Sequence, residues 1–66
     1  MNPQTVQERL DKIRHNRWDD EAAHIAEDRL YSDILTAIAN GECTQPRECC
    51  QLAITSKTIE FYRWCA

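Results

Sequence analysis

Apolar residues recur every three or four positions along most of the chain, which is the period of an amphipathic α-helix. The first such stripe consists of Val6, Leu10 and Ile13. Asn2 and Pro3 precede it, and this pair is typical of a helix start. Asn accepts hydrogen bonds from unpaired N–H groups, and proline lacks the N–H that the first turn leaves without a partner. The pattern therefore predicts a helix over about residues 3–16.

The second apolar stripe is longer, and neither Gly nor Pro interrupts it. Its members are Ala23, Ala26, Leu30, Ile34 and Ala37. Asp19 and Asp20 precede the stripe with the acidic side chains that helix starts favour, and Gly41 follows it with the freedom to adopt a left-handed cap. We expect a helix over about residues 19–39, with Trp18 packed against its first turn as a hydrophobic staple.

The remaining sequence predicts two shorter helices. Pro46, preceded by Thr44 and Gln45, indicates a helix over about residues 46–54. A short terminal helix over about residues 57–64 is favoured over a strand, because a single strand would have nothing to pair with. The predicted fold class is therefore all-α: a small bundle of three to four helices, dominated by one long central helix and completed by homo-oligomerisation.

The length of 66 residues allows one domain, residues 1–66. A core of this size rarely contributes more than about 3–5 kcal/mol, so small chains often add a metal, disulfides or a second subunit. Such a chain also has difficulty enclosing a water-free pocket of roughly 300 Å³ or more. A single Gly rules out glycine-rich phosphate loops, and no nucleophile–base signature is present. We expect a binding protein without enzymatic activity and without a cofactor.

Charge is distributed unevenly along the chain. Residues 1–18 carry a balance of +2, residues 19–42 of −6, and residues 43–66 of +1. The acidic middle segment would repel phosphate, so duplex nucleic acid is not an expected partner. The apolar runs are far shorter than the ~20 residues that span a bilayer. The first residues lack the basic start and apolar run of a secretory signal, and we therefore expect a cytoplasmic location and no membrane partner.

Four cysteines and two histidines are the candidate metal ligands. Zinc sites typically use close pairs such as C-x2-C, whereas the pattern here is C-x5-C-C. Reduced, partly buried thiols are therefore favoured, with a zinc site and a disulfide framework left as alternatives. Glu21, Glu27 and Asp28 lie three or four positions from His24, which is the spacing of metal sites in helical bundles, but one helix supplies only half of such a site. The candidate metal ligands are therefore His24 and Asp28 for a bundle site, and Cys43 and Cys49 for a zinc site.

Three aromatic residues and an arginine lie within four positions near the end of the chain. This composition is that of an interface anchor, because aromatic residues and Arg dominate binding hot spots. The favoured arrangement nevertheless packs Phe61 and Trp64 against the long helix and leaves Tyr62 and Arg63 in water, with a self-association or partner surface as the alternative. The candidate binding residues are Trp18, Tyr31, Phe61, Tyr62, Arg63 and Trp64.

Three stretches of the sequence form a recognisable pattern: D-x-A-A-H-x-x-E-D-x-L-Y-x-D from Asp20, A-I-A-x-G from Ala37 and F-x-R-W-x-A from Phe61. This pattern resembles that of small uncharacterised proteins encoded by tailed bacteriophages and prophages. It covers the chain from about Arg17 onward but not the stretch from Cys43 to Cys50. The resemblance implies a phage setting, in the cytoplasm of a bacterial host, and brings no functional residues with it.

These observations favour a phage accessory protein that binds and inhibits a host or antiviral-defence component stoichiometrically, either alone or as a homo-oligomer. A second hypothesis is a sponge that sequesters a small, cyclic nucleotide signal between protomers. In the sponge, Arg63 or Arg17 would contact phosphate, and Trp64, Phe61 or Trp18 would stack on bases. A third hypothesis is an adaptor stabilised by a metal.

Overall fold

The computed structural model describes residues 1–63 of the chain. Three α-helices follow one another: α1 (Pro3–His15), α2 (Asp20–Ala39) and α3 (Pro46–Ile54). A 3-10 turn, Thr55–Thr58, continues directly from α3. No strand occurs within residues 1–63, so the prediction of an all-helical fold is confirmed for this part of the chain. None of the helices within it is long and apolar enough to cross a bilayer.

Side-chain caps define where the first two helices begin. The Asn2 side chain accepts a hydrogen bond from the Thr5 N–H at 2.8 Å, and the Asp19 side chain accepts one from the Ala22 N–H at 3.1 Å. Each bond satisfies an N–H that the first turn of a helix leaves unpaired. Gly41 follows α2 with a φ of 69°, a left-handed conformation in which a residue without a Cβ is not strained.

The apolar stripes of the three helices meet in one core. Its buried members are Val6, Leu10, Ile13, Ala23, Leu30, Ile34, Cys49, Ala53 and Ile59. α1 packs against both α2 and α3, which also contact each other. The molecule measures 33 × 21 × 14 Å, so its interior holds little more than one layer of side chains. Helix faces that point away from this layer stay in contact with water.

The terminal helix expected over about residues 57–64 is not found in the described part of that range. After the 3-10 turn, Ile59 is extended, with φ −78° and ψ 122°, and no helix follows up to residue 63. The Thr55 and Thr58 hydroxyls donate to the carbonyls of residues three positions earlier. Threonine hydroxyls that bond nearby backbone in this way compete with a helical ladder, and threonine also has a modest helix propensity.

The hydrophobic staple expected at Trp18 is also absent. Trp18 is 84% exposed, while Ala23 is fully buried by the other helices. The Arg17 guanidinium lies 4.8 Å from the centre of the Trp18 ring, so the indole contacts a neighbouring cation and water.

Leu30→Ala is expected to lower the free energy of unfolding by about 2–5 kcal/mol, because it leaves a cavity in a single-layer core. Leu35→Ala on the same helix should cost much less, since Leu35 is 69% exposed whereas Leu30 has no exposed surface. Denaturant unfolding followed by circular dichroism measures both. Equal losses in the two variants would contradict this placement of the core.

Candidate functional site

An apolar groove lies between α2 and α3. Its volume is about 390 Å³, and almost all of its lining atoms are apolar. The residues that line it are Tyr31, Ile34, Leu35, Cys50, Ala53, Ile54 and Lys57. Tyr31 is the one predicted binding residue in this set.

The rim of the groove exposes large aliphatic side chains. Leu35 on α2 is 69% exposed and Ile54 at the end of α3 is 66% exposed, while Ile38 lies one turn beyond Leu35 and is 38% exposed. Single exposed apolar residues are common, but several beside an apolar concavity form a contiguous surface that favours binding. The groove is therefore the strongest candidate interaction site in residues 1–63.

The polar groups at one end of the groove are occupied. The single proton of the Tyr31 hydroxyl is shared between the Ser56 hydroxyl and the Ala53 carbonyl, the latter at 3.3 Å, because the Ser56 proton is donated to Glu27. The Lys57 ammonium lies 5.4 Å from the centre of the Tyr31 ring and 3.6 Å from Glu27 Oε1. Because these groups bond one another, the groove presents its apolar side chains and the partly exposed Lys57 to solvent.

Behind this end of the groove lies a buried ion pair between Glu27 and Arg63. Glu27 is only 1% exposed. Arg63 donates from Nε to Oε1 at 2.9 Å and from Nη2 to Oε2 at 3.0 Å, and the Ser56 hydroxyl donates to Oε2 at 2.6 Å. Arg63 also donates to the carbonyls of Ser56 and Ile59. The pair therefore connects α2, the 3-10 turn and the segment that follows it.

The balance of forces on the Glu27 carboxylate favours its charged form. Burial raises its pKa, but hydrogen bonds from Arg63 and Ser56, together with the charges of Arg63 and Lys57, outweigh burial and lower the pKa below the ordinary value of 4.5. The hydrogen bond to Glu27 likewise raises the pKa of Arg63. Glu27 is thus held ionised as a structural counter-ion.

The expectation that Arg63 stays in water is wrong, because its guanidinium is committed to Glu27. It also lies 3.8 Å from the centre of the Phe61 ring, and Phe61 packs partly against the core. Tyr62 is 65% exposed, and its N–H donates to the Asp20 side chain at 2.9 Å. Trp64 lies outside the described residues. The described aromatic residues of the terminal run are thus divided between the core, for Phe61, and the surface, for Tyr62.

A second concavity, of about 370 Å³, contains Trp18. Its lining residues are Arg14, Arg17, Trp18, Thr58, Ile59 and Glu60. Arg14 also pairs with Asp11 at 3.3 Å. This basic and aromatic concavity and the apolar groove have no lining residue in common, so Trp18 and Tyr31 belong to different surfaces.

The candidate metal ligands form two separate pairs. His24 Nε2 lies 3.4 Å from Asp28 Oδ2 on the surface of α2. The Cys43 and Cys49 sulfurs are 3.6 Å apart beside the loop that joins α2 to α3. No group of three or more His, Cys, Asp or Glu side chains within residues 1–63 is placed to hold a metal.

Sequence reasoning placed Glu27 beside His24 in a candidate half metal site and missed its burial, and it also missed most of the groove. Glu27 lies four residues after Ala23 and three before Leu30, so a charge at a position on the apolar stripe was the available signal. Leu35 and Ile54 carry no comparable signal, because an apolar residue on a helix is compatible with either core or surface.

No protein-family model matches the chain, and neither a curated protein nor a solved structure matches it. Its function has therefore to be argued from its own surfaces.

Arg63→Met is expected to cost about 3–5 kcal/mol, because it leaves Glu27 buried without its main partner. A chain with a core worth roughly that much should be largely unfolded. Adding Glu27→Met should restore most of the loss, since both charges are then gone. Unfolding curves of the four proteins in this cycle, recorded in a stabilising osmolyte that gives Arg63→Met a folded baseline, yield the coupling energy.

Arg9→Met is the matched control. Arg9 pairs with the half-exposed Asp33 at 2.9 Å, and removing such a surface pair should cost about 0–1 kcal/mol.

The pH dependence of stability tests the role of the Glu27 carboxylate. A carboxylate whose pKa is lower in the folded than in the unfolded state stabilises the fold at pH values above its unfolded pKa, and this contribution is lost as the pH falls. The advantage of wild type over Glu27→Met should therefore shrink below about pH 4.5. A stability advantage of wild type over Glu27→Met that persists below this pH would contradict the role of Glu27 as an ionised, stabilising carboxylate.

Proposed function

We propose that this chain is a small protein-binding module that receives one amphipathic helix of a partner protein in the groove between α2 and α3. The observation that carries the proposal is the exposed apolar rim, with Leu35 and Ile54 more than half exposed beside an apolar concavity. Exposure of this apolar surface to water does not stabilise the isolated chain, whereas burying it against a partner favours binding by about 25 cal/mol per Å² of apolar area.

A helix is the occupant that suits the groove best. Two helices form its walls, and the apolar face of a third helix can insert anchors spaced three or four residues apart between them. The volume of about 390 Å³ lies at the small end of the range for ligand sites, enough for a few side chains. Contacts limited to a few anchors are typical of peptide recognition.

The charge at one end of the groove determines where an acidic residue of the partner helix should lie. At one end of the groove, Lys57 and Arg63 surround the single carboxylate of Glu27, which leaves a local balance of +1. Arg63 is directed inward, whereas the Lys57 side chain is 58% exposed. We therefore expect an acidic residue on the partner at the Lys57 end and apolar anchors against Leu35 and Ile54.

The biological setting of the proposal comes from the resemblance to phage proteins. A chain with such an exposed groove can act by occupying a helix that a host or defence protein needs for its own assembly. Such an inhibitor works one-to-one and requires no chemistry of its own.

Capture from phage-infected bacterial lysate, with quantitative mass spectrometry, compares the wild type with the groove variant Leu35→Asp/Ile54→Asp. The expected partner is retained by wild type and reduced at least about tenfold with the groove variant, since two apolar anchors are worth several kcal/mol. A synthetic helix from that partner should then bind the purified chain one-to-one, and Lys57→Glu should weaken this binding.

Ile25→Asp is the control variant, because Ile25 is a 47% exposed residue of α2 that does not line the groove. It should retain the partner. Equal retention by the groove variant would refute the proposal. Mass measurement in solution tests the other occupant: a dimer that the groove variant converts to a monomer would assign the groove to a second copy of this chain.

A nucleotide-binding function is the second candidate, and the concavity around Trp18 supports it. Arg14 and Arg17 supply positive charge, and the exposed indole offers a stacking surface for a base. Arg63, which is bonded to Glu27, does not contribute to this site.

Thermal unfolding with a panel of cyclic nucleotides tests the second candidate. A bound nucleotide at 100 times its dissociation constant should stabilise the protein by about 2.7 kcal/mol. Trp18→Ala should abolish the shift, while Tyr62→Ala, at an exposed aromatic residue outside the concavity, should leave it unchanged. An unchanged melting temperature with every nucleotide would exclude this function.

A further inference from the structure

Two thiols face each other where the loop after α2 meets α3. The Cys43 sulfur lies 3.6 Å from the Cys49 sulfur, and each thiol is also within reach of the Thr44 carbonyl, at 3.7 and 3.5 Å. A disulfide requires a sulfur–sulfur distance of about 2.05 Å, so a closure of roughly 1.5 Å would join them. Both residues carry free thiols in the structure.

The surroundings hold the two sulfurs together. Cys49 is fully buried on α3, and Cys43 lies in the connecting loop. The Thr44 N–H donates to the Met1 carbonyl at 2.9 Å, and the Met1 amino group donates to the Glu42 carbonyl at 3.0 Å. These bonds attach the loop on both sides of Cys43 to the start of the chain. Cys43 is therefore held next to Cys49 by the fold.

We propose that Cys43 and Cys49 form a reactive dithiol that small-molecule disulfides such as oxidised glutathione convert to an intramolecular disulfide. The Cys43 thiolate attacks glutathione disulfide, forming a mixed disulfide and releasing one glutathione. Cys49 then loses its proton and attacks the Cys43 sulfur, and the second glutathione leaves and is protonated. Two cysteine thiols are oxidised, and one glutathione disulfide is reduced to two glutathione thiols.

Exposure determines which thiol reacts first. Cys43 is partly exposed, whereas Cys49 is enclosed by the core, and burial raises the pKa of Cys49 to about 11, with the Cys43 hydrogen bond contributing in the same direction. Because the thiolate is the attacking species, the external disulfide reacts at Cys43. Cys49 completes the bond because its sulfur is already adjacent.

The test compares two variants that each retain two cysteines. Cys50→Ala/Cys65→Ala keeps Cys43 and Cys49, and Cys49→Ala/Cys65→Ala keeps Cys43 and Cys50. Each is equilibrated with reduced and oxidised glutathione, both folded and in urea, then quenched with acid, alkylated and weighed as an intact chain. Trypsin cleaves after Arg47, so a disulfide from Cys43 links the peptide 30–47 to the peptide 48–57.

The Cys43/Cys49 variant should form the disulfide more readily when it is folded than in urea. The ratio of oxidised to reduced glutathione that links half of the protein should be at least about tenfold lower for the folded variant, because the fold already holds the two sulfurs together. The Cys43/Cys50 variant should show no such advantage on folding. In the wild-type chain, Cys50 should remain open to alkylation after the link has formed.

The proposal is overturned if folding gives the Cys43/Cys49 variant no advantage, or if Cys50 links to Cys43 as readily as Cys49 does. The wild-type chain decides the matter even if a variant fails to fold, because fragmentation of its linked peptides shows which of Cys49 and Cys50 carries the alkyl label and which joins Cys43. Capture of a partner in the groove plays no part in this result, so the two proposals stand or fall separately.

Discussion

The Glu27 carboxylate is the constraint on which much of the remaining structure depends. A charge with almost no exposed surface is costly unless it is paired and hydrogen-bonded, and α2 offers no cation that reaches it. Its main partner is Arg63, 36 positions later in the sequence. The contact of that guanidinium with α2 holds the chain after α3 in place, and together with the threonine hydroxyl bonds it favours an extended segment where a further helix was expected.

The same path leaves the groove uncovered by the described residues 59–63. This segment reaches α2 at Glu27 and at Asp20, near the beginning of the helix, through Arg63 and the Tyr62 backbone. It therefore contacts the first half of α2, whereas Leu35 lies in the second half. Within residues 1–63, an apolar rim and a buried ion pair accompany one arrangement of the segment after α3.

Local chemistry made the helices predictable. The side chains of Asn2 and Asp19 cap the helices that follow them, and Gly41, just after α2, adopts the left-handed backbone conformation that suits glycine. These effects act between residues a few positions apart, so the sequence alone contains them. Where the competing local forces were nearly balanced, as in the Thr-rich stretch after α3, the prediction of a helix was wrong.

The sequence by itself determined that the chain is helical and which stripe of each helix is apolar. Only the tertiary structure decided that Glu27 is buried, that Arg63 faces inward, and that the Cys43 and Cys49 sulfurs adjoin. It also decided that Leu30 is core while Leu35, five residues later, borders an open groove. The reason is that helix periodicity shows which residues share a face, whereas contacts between segments distant in the sequence decide which of those faces is buried.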